Sequence, residues 1–361
     1  MFLMLAEALE LPFIAKQFPA NPVWSFIGFH TSHVTWEGCS LHDLIQPGFS
    51  FLVGAALAFS IAKRTSQGQS FQRMLGHAVW RAAALVVLGV ALRFYNRHYV
   101  TLEDTLAQIG LGYVPLFLLG WASARARWVA LVAILVGYWA AFALYPLPGP
   151  GFDYAAVGVP ADWGHFYQGF LAHWNKNSNF AWAFDTWFLN LFPRPTPFLY
   201  NDGGYSTLSF IPTLGTMLMG LLAGDFLRSS AGSKERQIGV LLVAGAVSIG
   251  LALLLDRLGI CPIVKRIWTP AFTLFSGGWI LWMLAGLHYI TEVRGWRRWS
   301  FPLIVIGANS IVAYLMNWVA EHTLSRVLEG LPGQVLEGVV LLIVFWLVLW
   351  AMYRKKVFVR L

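Results

Sequence analysis

Apolar residues along this chain come in long runs, without the strict alternation of a half-buried strand. A membrane span takes about 20 mostly apolar residues to cross a hydrocarbon core roughly 30 Å thick. Runs of that kind read at 1–18, 44–62, 77–94, 103–121, 127–146, 206–227, 237–255, 270–291, 301–320 and 336–353. The pattern predicts an all-α, polytopic integral membrane protein with about 10 transmembrane helices. The first run is the weakest, because it holds Glu7 and Glu10 and has no basic flank. It reads neither as a signal peptide nor as a complete span, and the expectation is a truncated first helix whose natural start lies upstream. No repeat and no second soluble domain is visible, so residues 1–361 read as a single transmembrane domain with one long aromatic-rich connection, 148–204.

Composition agrees with that class. The chain is 58% hydrophobic and only 12% charged, with 18 Trp, 27 Phe and a mean hydropathy of +0.61, where a soluble domain carries about 25% charged residues. The formal charge of +8 does not point to nucleic acid, since the basic residues fall in short connections between apolar runs. Counted by alternate connections, sixteen of the 25 Lys and Arg residues share the side of residue 1, although the opposite connections are longer. That is the positive-inside bias, and it predicts cytoplasmic N- and C-termini. Seven of nine histidines (His30, His33, His42, His98, His165, His173 and His322) then face outward. The connection 148–204 is expected outside as an aromatic belt or lid, with one or two amphipathic helices on the leaflet.

The stretch "HTSHVTWEGCSLHDLIQPGFSFLVG", His30 to Gly54, runs a polar segment with three histidines and two acids straight into an apolar span. Titratable groups beside hydrocarbon are costly, which makes this mouth a candidate site. Other chemistry has little support. There is no phosphate-cradling G-x-x-x-x-G-K-[ST], no H-E-x-x-H and no C-x-x-C. His30 and His33 have the i, i+3 spacing of a metal pair without an evident third ligand, so no metal is expected. Cys39 and Cys261 both map to the outer side, where a disulfide is chemically permitted, and two free thiols are the alternative. Glycines at 110 and 112, and at 215, 220 and 224, have the spacing of close helix packing.

"HVTWEGCSLHDLIQPGFSFLVGAALAFS" resembles the motif of the heparan-alpha-glucosaminide N-acetyltransferase family and its bacterial relatives of unassigned function, with His33, Trp36, Gly38, Asp43, Pro47 and Gly54 in order. "WRAAALVVLG", "GLLAG", "PIVKRIWTP" and "GANSIVAY" look like later blocks of the same family. Departures are the missing acidic Arg-Gly start, the lack of a clear counterpart to the asparagine the family places at the outer end of its first span, with Glu7 sitting closest, "LAQIGLGY" in place of a Gln-Arg pair, and "NDGGYS" in place of an acidic motif.

The resemblance implies a transmembrane acetyltransferase that takes acetyl-CoA from the cytosol as co-substrate and acetylates a glucosamine-type amino sugar on the outer face, in a bacterial plasma (inner) membrane. His33 is the expected general base or acyl carrier, since an unperturbed imidazole titrates near about 6.5. Asp43 either orients it or is a helix-start acid. Asn309 either binds the reacting oxygen or hydrogen-bonds between helices. Arg81 is expected to meet the phosphates of CoA. Trp36, Lys265 and Trp268 are expected to bind substrate, the indoles stacking on a sugar or merely anchoring the span. The bilayer and a sugar or glycan are the expected partners, nucleic acid is not, and a homodimer is left open. O-acyl transfer to a cell-envelope glycan or lipid is the neighbouring chemistry, and a small-molecule transporter is the alternative from another class.

Overall fold

A computed structural model describes residues 1–229, 232–319 and 334–359, so His322 and Arg326 lie outside the described residues. In chain order the helices are α1 (Phe2–Leu5), α2 (Leu11–Gln17), α3 (Pro22–His30), α4 (Ile45–Ser66), α5 (Phe71–Arg97), α6 (Thr105–Gly120), α7 (Ala124–Ala143), α8 (Phe180–Phe188), α9 (Phe210–Ser229), α10 (Lys234–Arg257), α11 (Pro270–His288), α12 (Phe301–Ala308), α13 (Ser310–Val319) and α14 (Gln334–Arg354). Among the described residues the only β pairing is the isolated bridge between Glu37 and Val264. Among the described residues seven helices are long and apolar enough to cross a membrane, those built on α4, α5, α7, α9, α10, α11 and α14. This is a polytopic integral membrane protein.

Several helix starts follow from single residues. Ser70, Ser123 and Ser233 accept the backbone N–H of Arg73, Ala126 and Arg236, and Asp104 accepts that of Leu106. Each side-chain oxygen takes one of the N–H groups that a helix leaves without a partner in its first turn.

The remaining three of the ten expected spans are shorter or broken. Residues 1–18 form α1, a 3₁₀ turn (Ala6–Leu9) and α2, separated at Glu10, whose φ of 48° no regular helix can contain. The run 103–121 is the 16-residue α6 with Pro115 inside it. The run 301–320 is split at Asn309 into α12 and α13, which meet at a bend of 72°.

The described chain forms two compact units. One comprises 35–39 and 46–287, the other 1–34, 40–45 and 288–361. In the larger unit, α4 and α9 cross at glycines. A methyl at Gly54 would overlap the carbonyl oxygen of Met217, one at Gly220 would overlap that of Phe51, and one at Gly224 would sit 2.6 Å from that of Ala55. Small residues let the two backbones touch, which is how helices associate where lipid removes most of the hydrophobic drive.

The smaller unit has its own core of Leu5, Val305, Ile306, Ala313, Leu341, Phe345 and Leu349. Gly338 on α14 lies so close to the carbonyl of Ala8 that a Cβ would overlap it. The turn that carries Glu7 is thereby seated directly on α14.

Candidate functional site

The smaller unit gathers the polar mouth. The imidazole of His33 bonds through Nδ1 to Asp43 Oδ1 at 2.8 Å. Asp43 sits in a short 3₁₀ turn (His42–Leu44) that runs into α4, and it is fully buried. Its second oxygen accepts from the backbone N–H of Val34 (3.2 Å) and of Ser40 (3.0 Å), with the Ser40 hydroxyl also at 3.0 Å. The Ser40 hydroxyl has a single proton, which goes to the nearer carbonyl of Ser32 at 2.6 Å, so three N–H groups, of His33, Val34 and Ser40, fix the carboxylate in place. It in turn holds the N–H tautomer of His33 on Nδ1, which puts the basic lone pair on Nε2. The His33 side chain remains 39% exposed.

The three histidines of the mouth have different surroundings. His30 accepts the backbone N–H of Leu41 on Nδ1 at 3.2 Å and packs against the rings of Phe26 and Phe29, which makes it a structural tie. His42 lies against His33, their ring centroids 4.4 Å apart. Its Nε2 meets Glu7 Oε1 at 3.1 Å, and Asn317 Nδ2 on α13 donates to Glu7 Oε2 at 3.1 Å. Two carboxylate–imidazole pairs therefore stand side by side, one sealed and one open, since the Glu7 side chain is 39% exposed. In the sequence Glu7 stands out as an acid that weakens the first apolar run and as the residue nearest the family's asparagine, while its partners His42 and Asn317 are remote in the chain.

Two curated proteins are similar to this chain over most of its length. Heparan-alpha-glucosaminide N-acetyltransferase of Homo sapiens is 22% identical over 91% of the chain, and that of Mus musculus is 20% identical over 91%. The chain is related to that family. It spans about half the length of the curated relatives it matches, 56% of each. No family model matches the chain.

The other residues singled out by the resemblance have surroundings of their own. Asn309 is fully buried at the α12–α13 break, where Nδ2 donates to the carbonyl of Val357 (3.1 Å) and Oδ1 accepts the N–H of Val359 (2.9 Å). Both ends of its amide are thus engaged by the backbone that follows α14. The remaining four residues belong to the larger unit. Arg81, ten residues into α5, donates to the hydroxyl of Tyr113 at 3.1 Å, with the guanidinium over that ring. Trp36 and Trp268, at 0% and 1% exposure, are interior residues and present no ring face at the surface. Trp268 donates through Nε1 to Thr216 at 3.2 Å. Lys265 is buried in the same loop, two positions after the buried Ile263 whose carbonyl accepts the N–H of Gly38 at 2.8 Å.

Cys39 and Cys261 are both free and share one apolar cluster. Burial pushes the Cys261 thiol up to about 12, so it stays protonated and unreactive near neutral pH. Among the described residues no group of three or more His, Cys, Asp and Glu side chains is placed to hold a metal ion.

The long connection 148–204 carries one short helix, α8, and several 3₁₀ turns. Its polar run Asn175–Asn179 is almost wholly buried, with Lys176 Nζ 4.7 Å over the ring of Trp163. Burial, and after it the charge of Arg266, push the Lys176 ammonium below its ordinary range.

In α8, Asp185 accepts the N–H of Thr207 at 2.9 Å while its other oxygen is buried without a hydrogen-bond partner. Burial raises this carboxyl from the ordinary 3.8 to about 7. A carboxyl with a raised native pKa holds its proton more tightly when folded. Its contribution to stability is complete below the unfolded value and is lost as pH rises through the folded one. Asp185→Asn, which removes the ionisation, is expected to raise the melting temperature relative to the parent chain by an amount that grows from pH 4 to pH 8. An equal difference at both pH values would contradict this assignment.

Proposed function

We propose that the chain is a membrane-embedded acetyltransferase that moves the acetyl group of acetyl-CoA onto the amine of a glucosamine-type sugar. The observation that carries the reading is the 2.8 Å bond between His33 Nδ1 and the fully buried Asp43, in a chain related over 91% of its length to an N-acetyltransferase family. A carboxylate that holds Nδ1–H and stabilises the imidazolium is what a histidine base requires, and the carboxylate itself need not take the proton.

The chemistry follows from these positions. His33 Nε2 removes a proton from the sugar ammonium, giving the neutral amine. The amine nitrogen attacks the thioester carbonyl, a C–N bond forms and the C–S bond breaks; the nitrogen gives its second proton to the departing CoA thiolate, and the proton on His33 is released to solvent. In the covalent variant the same nitrogen accepts the acetyl group first and then passes it to the amine. Arg81 is the residue we carry forward for the anionic end of CoA, because a guanidinium is well suited to phosphate. We place acetyl-CoA on the cytosolic side and the sugar on the other, following the distribution of Lys and Arg between alternate connections.

Membranes containing the chain, incubated with radiolabelled acetyl-CoA and a panel of amino sugars, are expected to yield labelled N-acetyl sugar above membranes that lack it. No labelled product from any amino sugar or glycan hydroxyl would overturn the proposal.

A further inference from the structure

Two carboxylates border the imidazoles of the mouth, and they are unequal in a way that bears on the acceptor. Asp43 has no exposed surface and accepts from three N–H groups of the chain, those of His33, Val34 and Ser40. Asp43 is fully buried, so no substrate group can reach it. Glu7 is 39% exposed and, among the described residues, receives two contacts, from His42 and from Asn317. Two contacts leave about half the accepting capacity of a carboxylate unused by the described residues, at an exposed side chain. The ring of His42, which meets Glu7, also lies against His33, with 4.4 Å between the two imidazole centroids. Gly338 seats the turn that carries Glu7 on α14, and Asn317 holds its second oxygen, so the carboxylate is positioned by its surroundings.

We propose that Glu7 is a specificity-determining residue that receives the ammonium group of the acceptor beside His33, making the site selective for cationic amines over neutral hydroxyls. The inference rests on the acetyl-transfer reading for its place in the reaction, and on geometry for the binding. A charge-assisted bond from an ammonium to a carboxylate is roughly twice as strong as one from a neutral hydroxyl, so Glu7 favours the protonated amine. Once His33 Nε2 has taken the proton, the neutral amine loses most of that attraction and is released toward the thioester. The imidazolium formed on His33 is then stabilised by Asp43. Proton and charge balance without a further reactant.

The test is calorimetric titration of the purified chain in detergent with glucosamine and with N-acetylglucosamine, whose nitrogen carries no charge, for the parent chain, Glu7→Gln and Glu7→Asp. Glu7→Gln keeps the shape and is expected to weaken glucosamine binding by about tenfold or more with N-acetylglucosamine unchanged, while Glu7→Asp retains a preference for the amine. In steady-state transfer, the same substitution raises KM for glucosamine and leaves KM for acetyl-CoA alone. Unchanged glucosamine affinity in Glu7→Gln, or an equal loss for both sugars, overturns the assignment. A parent chain that binds glucosamine through Glu7 but transfers no acetyl group supports the amine site and contradicts the acetyltransferase reading. Normal transfer with unaltered affinity in Glu7→Gln does the reverse.

Discussion

Replacing His33 by alanine is expected to lower acetyl transfer by about 10² to 10⁴, the usual contribution of a positioned general acid or base, and to leave the chain folded. The side chain is 39% exposed and fills no core, so its removal opens no cavity. Asp43 keeps the two backbone N–H donors of Val34 and Ser40 when the imidazole is gone. Asp43→Asn is expected to fall between the parent chain and His33→Ala in rate. An amide in that position can accept from Nδ1–H only through its oxygen, and its NH₂ group would face the donors of Val34 and Ser40. His30→Ala is expected to change the rate little, since His30 ties the backbone at Leu41. The measurement is initial rate at saturating acetyl-CoA, with thermal unfolding as the control for folding. Near-parental transfer by His33→Ala would show that the imidazole is not the working group.

Placing alanine at Gly220 is expected to unfold the larger unit or to lower its melting temperature severely. The added methyl would overlap the carbonyl oxygen of Phe51 in the backbone of α4, and a backbone atom cannot rotate out of the way as a side chain can. Overpacking of a close-packed interior costs about 1 to 3 kcal/mol and sometimes more, against a total stability for typical domains of about 5 to 15 kcal/mol. This crossing belongs at the upper end, because α4 and α9 must move apart along their length. Gly137→Ala on α7, where a Cβ meets nothing within 4 Å, is the control and is expected to be neutral or slightly stabilising. Equal melting temperatures for the two substitutions in detergent would contradict the glycine-mediated crossing.

The sequence makes the long helices readable because hydropathy over some 20 residues is set by the solvent they share. The runs at 44–62, 127–146 and 237–255 correspond to α4, α7 and α10 within a few residues. Breaks inside apolar runs are not readable that way. Nothing in the hydropathy of 301–320 marks the 72° bend at Asn309, and the separation of α1 from α2 depends on one left-handed residue, Glu10. Indoles show the same limit. Trp36 and Trp268 have the composition of an interfacial belt, yet packing places them in the interior, and a tryptophan is compatible with either environment.

At the site, His33 and Asp43 are only ten positions apart and lie in one motif, so their pairing could be anticipated. The Glu7–His42–Asn317 contacts draw on three remote segments and exist only once α13, α14 and the first turns are assembled. No local spacing encodes them.

The most direct measurement of the central claim uses the purified chain in a defined lipid bilayer with acetyl-CoA and glucosamine, following released CoA thiol and N-acetylglucosamine in the same sample. Equal amounts of thiol and N-acetyl sugar, both abolished in His33→Ala, are the predicted result. Thiol release without N-acetylated sugar, or neither product above the lipid control, would contradict the assignment of the His33–Asp43 pair to acetyl transfer.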